Sequence, residues 1–290
     1  MIPNHIPDGE PHVFGDRVYL YGSHDRFNGY AFCLNDYVCY SAPVSDLTDW
    51  RCEGVIYTRA DDPRNEDGDQ CLYAPDVCRG ADGRYYLYYV LDASPFVSVA
   101  VCDTPAGRYQ FYGYVKDREG GVLGERAHDE PMFDPAVLFE DGVVYLYGGF
   151  CPQTESLFEG HSGAMVTVLE SDMVTICEEP RFVLPSVQKS AGSGYEGHEY
   201  FEGPSIRRAG DLYYLVYSSI HQHELCYATA VSPLGPFHFR GTVVSNVDEG
   251  IGHTKHRSGR SIFRRITMAA LRRLGMPGMC SITAIPMAIT

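Results

Sequence analysis

The chain has 290 residues, 44% of them hydrophobic, with 22 Tyr and 30 Gly, which is enough for one large all-β domain. Its formal net charge of −15 argues against nucleic acid or an anionic membrane as a partner and favours a neutral ligand. No apolar stretch reaches the length of a membrane span, and the first eight residues lack the basic and apolar regions of a signal peptide, so we expect a cytoplasmic protein.

A Tyr-rich strand that follows a turn of Gly and Asp recurs four times along the chain. The strands begin 67, 59 and 69 residues apart, at Val18, Tyr85, Val144 and Tyr213. Such turns join tight hairpins, and aromatic and β-branched residues favour strands. Each copy therefore predicts one unit of a repeat architecture.

A second pattern lies between these strands. Residues 41–43, 103–107 and 232–235 each contain a turn with Pro, and aromatic residues and a Gly follow each turn. Each turn predicts an outer hairpin, so that one repeat supplies about four strands, the content of one propeller blade. Residues 1–254 are therefore predicted to form a β-propeller domain with four recognisable blades.

A carboxylate precedes each Tyr-rich strand by a nearly constant distance, at Asp8, Asp76, Asp134 and Glu202. A single carboxylate there could equally cap a strand, and the Asp residues inside the turns are interpreted as turn formers. In a radial array, however, equivalent positions converge on the central axis. The repetition in register therefore predicts a group of carboxylates that can perform acid/base chemistry.

Two of these blocks resemble a known family. Ala-Pro-Asp-Val around Asp76 and Glu-Gly-Pro-Ser from Glu202, each followed by a Tyr-Tyr-Leu strand, resemble the signature blocks of glycoside hydrolase family 43. The resemblance covers residues 1 to about 254. It implies an all-β, five-bladed β-propeller that hydrolyses arabinose- and xylose-containing glycans, with an oligosaccharide as partner and no cofactor needed for the chemistry.

The resemblance also implies catalytic roles: Asp8 as general base, Asp76 as the carboxylate that orients the acid and raises its pKa, and Glu202 as general acid. The family usually has Asp-Pro in the first block, whereas this chain has Asp8-Gly9-Glu10-Pro11. We prefer Asp8 to Glu10 because Asp8 stands ten residues before Val18, as Asp134 does before Val144.

Further residues are candidates for contact with the sugar: His24, Asp25, Phe133, Asp134 and Phe201. His24 and Asp25 follow the first strand directly and could reach sugar hydroxyls, or lie in a solvated turn. The Phe residues could form a sugar platform, although strand or core packing explains either of them equally well.

Metal-binding signals are weak in this chain. The ten Cys are scattered without the close spacing of a zinc ligand set, so we expect buried, reduced thiols. The segment from His221 to Glu224 contains two His residues, but without further ligands a solvated loop is the expected structure. No metal ligand is therefore assigned.

The last part of the chain differs from the rest. Residues 254–290 carry seven Lys and Arg and no Asp or Glu, a local charge of +7 against −22 for residues 1–253. The aromatic strand expected for a fifth repeat is lacking, so the fifth blade is predicted to be lost or incomplete. One explanation of residues 255–290 is a native, basic amphipathic tail that would suit an anionic partner.

A shifted reading frame explains the same segment more fully. Codons permitted for residues 266–288, read two bases later, can spell Asn-His-Gly-Ser-Ile-Glu-Lys-Ile-Gly-Asp-Ala-Trp-Tyr-Val-Phe-Tyr-His-Arg-His-Thr-Asn-Gly. Met has a single codon, so the pairs Met268-Ala269, Met276-Pro277 and Met279-Cys280 force the Gly, Ala and Val that this phrase uses. The phrase contains the missing turn and strand and resembles the family's final block, whose His helps to hold a central calcium ion. We therefore expect structural calcium only in a chain with the restored frame.

Two functional classes remain. The first is a β-xylosidase or α-L-arabinofuranosidase that inverts the anomeric carbon and is defective if its last blade is altered. The alternative is a non-catalytic propeller that binds glycans or proteins and would tolerate the loss of any carboxylate.

Overall fold

The computed structural model describes residues 4–92, 94–152, 161–221 and 224–245. These residues form sixteen β-strands and two short 3-10 turns, Arg59–Asp61 and Val187–Lys189. No helix within these ranges is long and apolar enough to cross a membrane. Residues 255–290 lie outside the described ranges, as do Gln222 and His223.

The strands form four antiparallel sheets, and each sheet contains four strands that follow one another in the chain. Blade 1 contains β1 (Glu10–Phe14), β2 (Arg17–Tyr21), β3 (Tyr37–Pro43) and β4 (Arg51–Tyr57). Blade 2 contains β5 (Asp76–Arg79), β6 (Tyr85–Tyr89), β7 (Ser98–Cys102) and β8 (Gln110–Tyr114). Blade 3 contains β9 (Ala136–Glu140), β10 (Val143–Gly148), β11 (Gly163–Leu169) and β12 (Ile176–Pro185). Blade 4 contains β13 (Tyr200–Ala209), β14 (Leu212–Ser219), β15 (Glu224–Ala230) and β16 (His238–Ser245). The predicted all-β blades and their outer hairpins are confirmed.

The tight turns explain the Gly and Asp residues that recur before each Tyr-rich strand. Between β9 and β10, Asp141 and Gly142 have φ angles of 51° and 82°. Positive φ at both central residues matches the twist of the strands on either side, and Asp and Gly tolerate it best. Asp141 is therefore a turn former, as predicted.

Large apolar clusters fill the spaces between consecutive blades. Blades 1 and 2 share a cluster that includes Tyr21, Tyr37, Ile56, Val77, Leu87 and Tyr89. Blades 2 and 3 share one that includes Tyr88, Val99, Val137, Val144 and Leu146. Blades 3 and 4 share one that includes Tyr147, Val166, Leu184, Leu215 and Tyr217. Burial of these side chains is the main force that holds the blades side by side.

A repeated hydrogen bond joins each blade to the next. The hydroxyl of Tyr21 in blade 1 donates to the Pro105 carbonyl of blade 2 over 2.6 Å. The Tyr88 hydroxyl donates to the Met173 carbonyl over 2.7 Å, and the Tyr147 hydroxyl donates to the Pro233 carbonyl over 2.6 Å. Because a buried phenol needs a hydrogen-bond partner, Tyr recurs at this position of the second strand. Blade 4 has Val216 there instead.

Blades 1 and 4 each carry a small apolar cluster on the face that no other described blade covers. In blade 1 it consists of Ile6, Leu20, Val38 and Tyr40, with Trp50 against it. In blade 4 it consists of Val216 and Leu225, with Tyr227, Val243 and Val244 against them. We call these two faces the end faces of the four-blade unit.

Candidate active site

Three of the predicted carboxylates meet at one end of the propeller. Asp8 lies two residues before β1, Asp134 lies two residues before β9, and Glu202 is the third residue of β13. β1, β9 and β13 are the first strands of their blades, so the chain delivers one carboxylate from each of three blades to the same place. All three residues line a single recess.

The recess has about 360 Å³ of non-protein space, part of which is open solvent. Its lining residues are Pro7, Asp8, Asp25, Phe32, Cys33, Tyr73, Phe133, Asp134 and Glu202. Among the described residues that line it there is no Lys, Arg or His. An acidic recess with aromatic walls suits a neutral, hydroxyl-rich ligand.

Asp8 and Asp134 have the same unusual backbone conformation. Their φ angles are 54° and 51°, in the left-handed region that Asp tolerates better than most residues. The Ser23 hydroxyl also donates to the Asp8 carboxylate over 2.9 Å, which fixes the orientation of that side chain. The two blades therefore present their carboxylates to the recess in equivalent ways.

Asp76 does not line the recess. Its side chain is fully buried at the start of β5, and its carboxylate contacts the His12 ring at 2.6 Å and accepts from the Val137 backbone N–H at 2.8 Å. Burial raises the pKa of Asp76, but the charge and hydrogen bond of His12 and the charge of Arg207 outweigh it, so the pKa is lowered. Asp76 thus links the first strands of blades 1, 2 and 3.

Glu10 continues this network to blade 4. Its fully buried carboxylate accepts from the Arg207 guanidinium at 2.7 Å and from the Ser205 hydroxyl at 3.1 Å. The Arg207 guanidinium also lies 3.5 Å from the His12 ring nitrogen. We call Glu10, His12, Asp76, Ser205 and Arg207 the axial network, because it ties together the first strands of all four described blades.

The axial network does not fit a metal ion. Glu10, His12 and Asp76 bring possible ligand atoms within 4.8 Å of one another. However, the Arg207 guanidinium already lies against the Glu10 carboxylate and supplies the positive charge. Calcium also prefers about six to eight oxygen ligands. The residues present here therefore form an ion network, not a calcium site.

The other predicted sugar contacts divide into two groups. Asp25 lines the recess, and its carboxylate accepts from the Cys33 backbone N–H at 2.8 Å. Phe133 also lines it, next to Tyr73 at 5.7 Å between ring centroids. His24 and Phe201 do not line it: the His24 ring contacts the Asp36 carbonyl, and Phe201 is buried against Phe150.

Four lining residues, Pro7, Phe32, Cys33 and Tyr73, were not predicted from the sequence. They lie in connections outside the strands, where the repeat gives no register. Tyr73 directly precedes the Ala-Pro-Asp-Val block, and this position is the sequence feature that could have indicated its place in the recess. The proximity of Phe32 and Cys33 to Asp25 depends on the path of the long connection between β2 and β3.

The cysteines and the segment after β14 also differ in part from expectation. All nine described Cys are free thiols, but Cys52 and Cys177 are exposed and Cys102 is partly exposed, since they lie on outer strands or their edges.

Glu224 was expected in a solvated loop, yet it begins β15 and is buried. With His198 and Cys226 it forms a second group of possible metal ligands.

Comparison with known proteins places this geometry in a family. The model of glycosyl hydrolases family 43 matches residues 1–259. The chain belongs to this family. The resemblance inferred from the sequence blocks is thereby confirmed, and family 43 membership agrees with a propeller of four-stranded blades.

The chain is 63% identical over 244 residues to a xylosidase/arabinosidase of Thermoclostridium stercorarium, covering 84% of this chain and 51% of the relative. It is 30% identical over 287 residues to a xylosidase/arabinosidase of Bacteroides ovatus, covering 89% and 83%. The chain thus spans about half the length of the Thermoclostridium relative.

Solved structures of the family share the fold. A family 43 enzyme of Xanthomonas citri in complex with xylose has a TM-score of 0.66 and 25% identity, with 83% of this chain and 74% of that chain covered. A β-xylosidase/α-arabinofuranosidase from a compost metagenome, solved with xylotriose in a calcium-free form, has a TM-score of 0.63 and 25% identity, with 83% and 78% covered.

Proposed function

We propose that this chain is an inverting glycoside hydrolase that releases xylose or arabinose from oligosaccharides or plant-type glycans. The observation that carries the proposal is the convergence of Asp8, Asp134 and Glu202, each from a different blade, on one recess in a family 43 propeller. The relatives named as xylosidase/arabinosidase and the neighbours solved with xylose and xylotriose support the substrate class.

The chemistry follows from the carboxylates of the recess. An inverting glycosidase needs one protonated carboxyl that donates to the leaving oxygen and one carboxylate that activates water on the opposite face of the sugar. We assign the acid to Glu202 and the base to Asp8. Asp8 suits the base because the Ser23 hydroxyl donates to it, and such a bond stabilises the ionised form.

A further carboxylate of the recess, Asp134, would keep the acid protonated. A neighbouring anion disfavours ionisation of a carboxyl and so raises its pKa. The sequence resemblance implied Asp76 for this role, but Asp76 is turned into the axial network, whereas Asp134 lines the recess with Glu202. We therefore propose Asp134 as the residue that orients Glu202 and raises its pKa.

The altered end of the chain affects whether the protein as given has this activity. We propose that residues 255–290 are translated from a shifted frame and replace a fifth blade. The family match ends at residue 259, and blades 1 and 4 each carry on their end face an apolar cluster of the kind that lies between blades elsewhere in the molecule. We expect the chain as given to be poorly soluble and nearly inactive, because a propeller without its fifth blade would lose the neighbour of blades 1 and 4.

A screen of nitrophenyl glycosides tests the function. The chain with its frame restored near residues 255–257 should hydrolyse the β-D-xylopyranoside or the α-L-arabinofuranoside, and the chain as given should not. Glu202→Gln should lower turnover about 10²–10⁴-fold on substrates with poor leaving groups, because proton donation is lost. Unchanged turnover in Glu202→Gln would contradict the assignment of Glu202 as the acid, whereas binding of xylotriose without hydrolysis would favour the non-catalytic propeller.

The frame is tested separately by sequencing the source DNA. If the codons for residues 266–288 cannot spell the recovered blade two bases later, the basic tail is native. Calcium binding is expected only in the restored chain, since the His assigned to it belongs to the recovered phrase.

A further inference from the structure

A cluster of His, Glu and Cys lies in the outer part of blade 4, apart from the residues of the recess. Glu224 and Cys226 are alternate residues of β15, so both side chains point to the same face of the sheet. His198 lies two residues before β13, at the same end of the blade as Glu202. The cluster therefore belongs to the mouth end of the propeller.

The possible ligand atoms are already close together. The His198 Nδ1 lies 2.9 Å from the Glu224 carboxylate and 3.9 Å from the Cys226 Sγ, and all three lie within 4.8 Å of one another. Zn–N and Zn–O bonds of about 2.0–2.1 Å and a Zn–S bond of about 2.3 Å would place ligand atoms roughly 3.3–3.6 Å apart at tetrahedral angles. The observed distances lie on either side of these values, so small side-chain movements would admit the ion.

The charge of the cluster favours a cation. The Glu224 side chain is only 7% exposed. In the parts of the chain that the structure describes, its ion pair is with His198 and no Lys or Arg contacts it. A buried carboxylate is costly without a compensating positive charge, and a divalent ion bound to a thiolate, an imidazole and a carboxylate would supply it.

Neighbouring groups hold the ligands in position. The Ser219 hydroxyl and the Thr242 hydroxyl each donate to a different oxygen of Glu224 over 2.6 Å. The His198 ring stacks on Phe239, with 4.9 Å between centroids and an interplanar angle of 14°. Such supporting contacts orient metal ligands in proteins.

The cluster is also accessible from solvent. The His198 side chain is 36% exposed, whereas Cys226 is fully buried. An ion could therefore arrive past the imidazole, and a water molecule would complete a four-coordinate site. We propose that His198, Glu224 and Cys226 form a Zn²⁺-type binding site that is separate from the sugar chemistry.

Cobalt titration of the metal-free, full-length chain tests this site without any measurement of activity. Co²⁺ should bind at about one equivalent and give a near-ultraviolet thiolate-to-metal band with visible bands of tetrahedral coordination. Zn²⁺ should abolish these bands by displacing Co²⁺. Absence of a thiolate band at saturating Co²⁺ would overturn the proposal.

Variants assign the thiolate. The thiolate-to-metal band should be lost in Cys226→Ser and in His198→Gln. The His198 side chain is partly exposed, so its replacement should not prevent folding. It should persist in Cys39→Ser, which alters a buried Cys on the third strand of blade 1. Thr242→Val should weaken Co²⁺ binding about 10–100-fold by releasing Glu224.

The recess provides the competing location, because Cys33 lies there among carboxylates. A band that survives in Cys226→Ser and disappears in Cys33→Ser would place the ion in the recess and refute the site in blade 4. This outcome is independent of whether the chain hydrolyses glycosides.

Discussion

Asp8 and Asp134 share a left-handed backbone conformation at equivalent positions of blades 1 and 3, with φ angles of 54° and 51°. Asp76, in the blade between them, does not share it and points into the axial network. The difference separates two kinds of carboxylate that look alike in the sequence. One kind lines the recess, and the other ties blades together.

The first prediction compares Asp134→Asn with Asp76→Asn in the frame-restored chain. Loss of the Asp134 charge should lower the pKa of Glu202, so the basic limb of the kcat/KM profile should move to lower pH. Asp76→Asn should leave that limb in place and lower the free energy of unfolding, because it weakens a buried contact with His12. A shifted basic limb in Asp76→Asn alone would return the role to Asp76.

The second prediction concerns stereochemistry. A base that activates water opposite the leaving group requires inversion at the anomeric carbon. Proton NMR of the first sugar formed from a nitrophenyl glycoside should therefore show the opposite anomer before mutarotation. A product that keeps the substrate's configuration would mean that Asp8 acts as a nucleophile.

The third prediction concerns the hydrogen bonds between blades. Tyr147→Phe should destabilise the protein by about 0.5–1.5 kcal/mol, because the hydrogen bond from the Tyr147 hydroxyl to the partly buried Pro233 carbonyl is lost. Chemical denaturation followed by fluorescence measures the change. Tyr145→Phe, on the same strand but partly exposed, is the matched control and should have a smaller effect. Equal effects in the two variants would contradict the proposed contribution of this contact.

The fourth prediction concerns stability in acid. Glu140 of blade 3 accepts from the Arg208 guanidinium at 2.8 Å and from the Tyr213 hydroxyl, both in blade 4. Burial raises the pKa of Glu140, but these two partners outweigh it, so the pKa is lowered. A lowered pKa gives stabilisation that is present above the unfolded value, about 4.3, and is lost as the pH falls through the folded value.

Glu140→Gln should therefore lower the Tm at pH 7, and the difference from the unchanged chain should shrink as the pH falls below about 4.3. Glu178→Gln removes an exposed carboxylate from an ion pair within blade 3 and should change the Tm little at either pH. A difference for Glu140→Gln that is the same at pH 7 and pH 3 would contradict the prediction.

The fold could be predicted because each repeat contains the same short sequence pattern, which determines its local structure. Each blade has the same turn and then the same buried Tyr-rich strand as its second strand, and these depend on φ preferences and on burial alone. The same repeat led to the prediction of the recess carboxylates Asp8, Asp134 and Glu202. It could not give the contacts of Phe32 or Tyr73, since connections between strands have no period that fixes their path.

Asp76 shows where the repeat was insufficient. It stands nine residues before its strand marker Tyr85, whereas Asp8 and Asp134 stand ten residues before theirs. Side chains alternate between the two sides of a strand, so a shift of one residue is enough to turn a carboxylate away from its neighbours. Glu202 stands eleven residues before Tyr213 and still lines the recess, where the pairing of β13 with β14 is irregular, so the spacing alone did not separate the two kinds of carboxylate.

The axial network also limits how a glycan can move. Glu10 and Asp76 are fully buried where the first strands of the four described blades meet, and Arg207 and His12 fill the space between them. A sugar chain cannot thread along an axis that is closed in this way. A glycan bound in the recess would therefore have to enter and leave by the same opening.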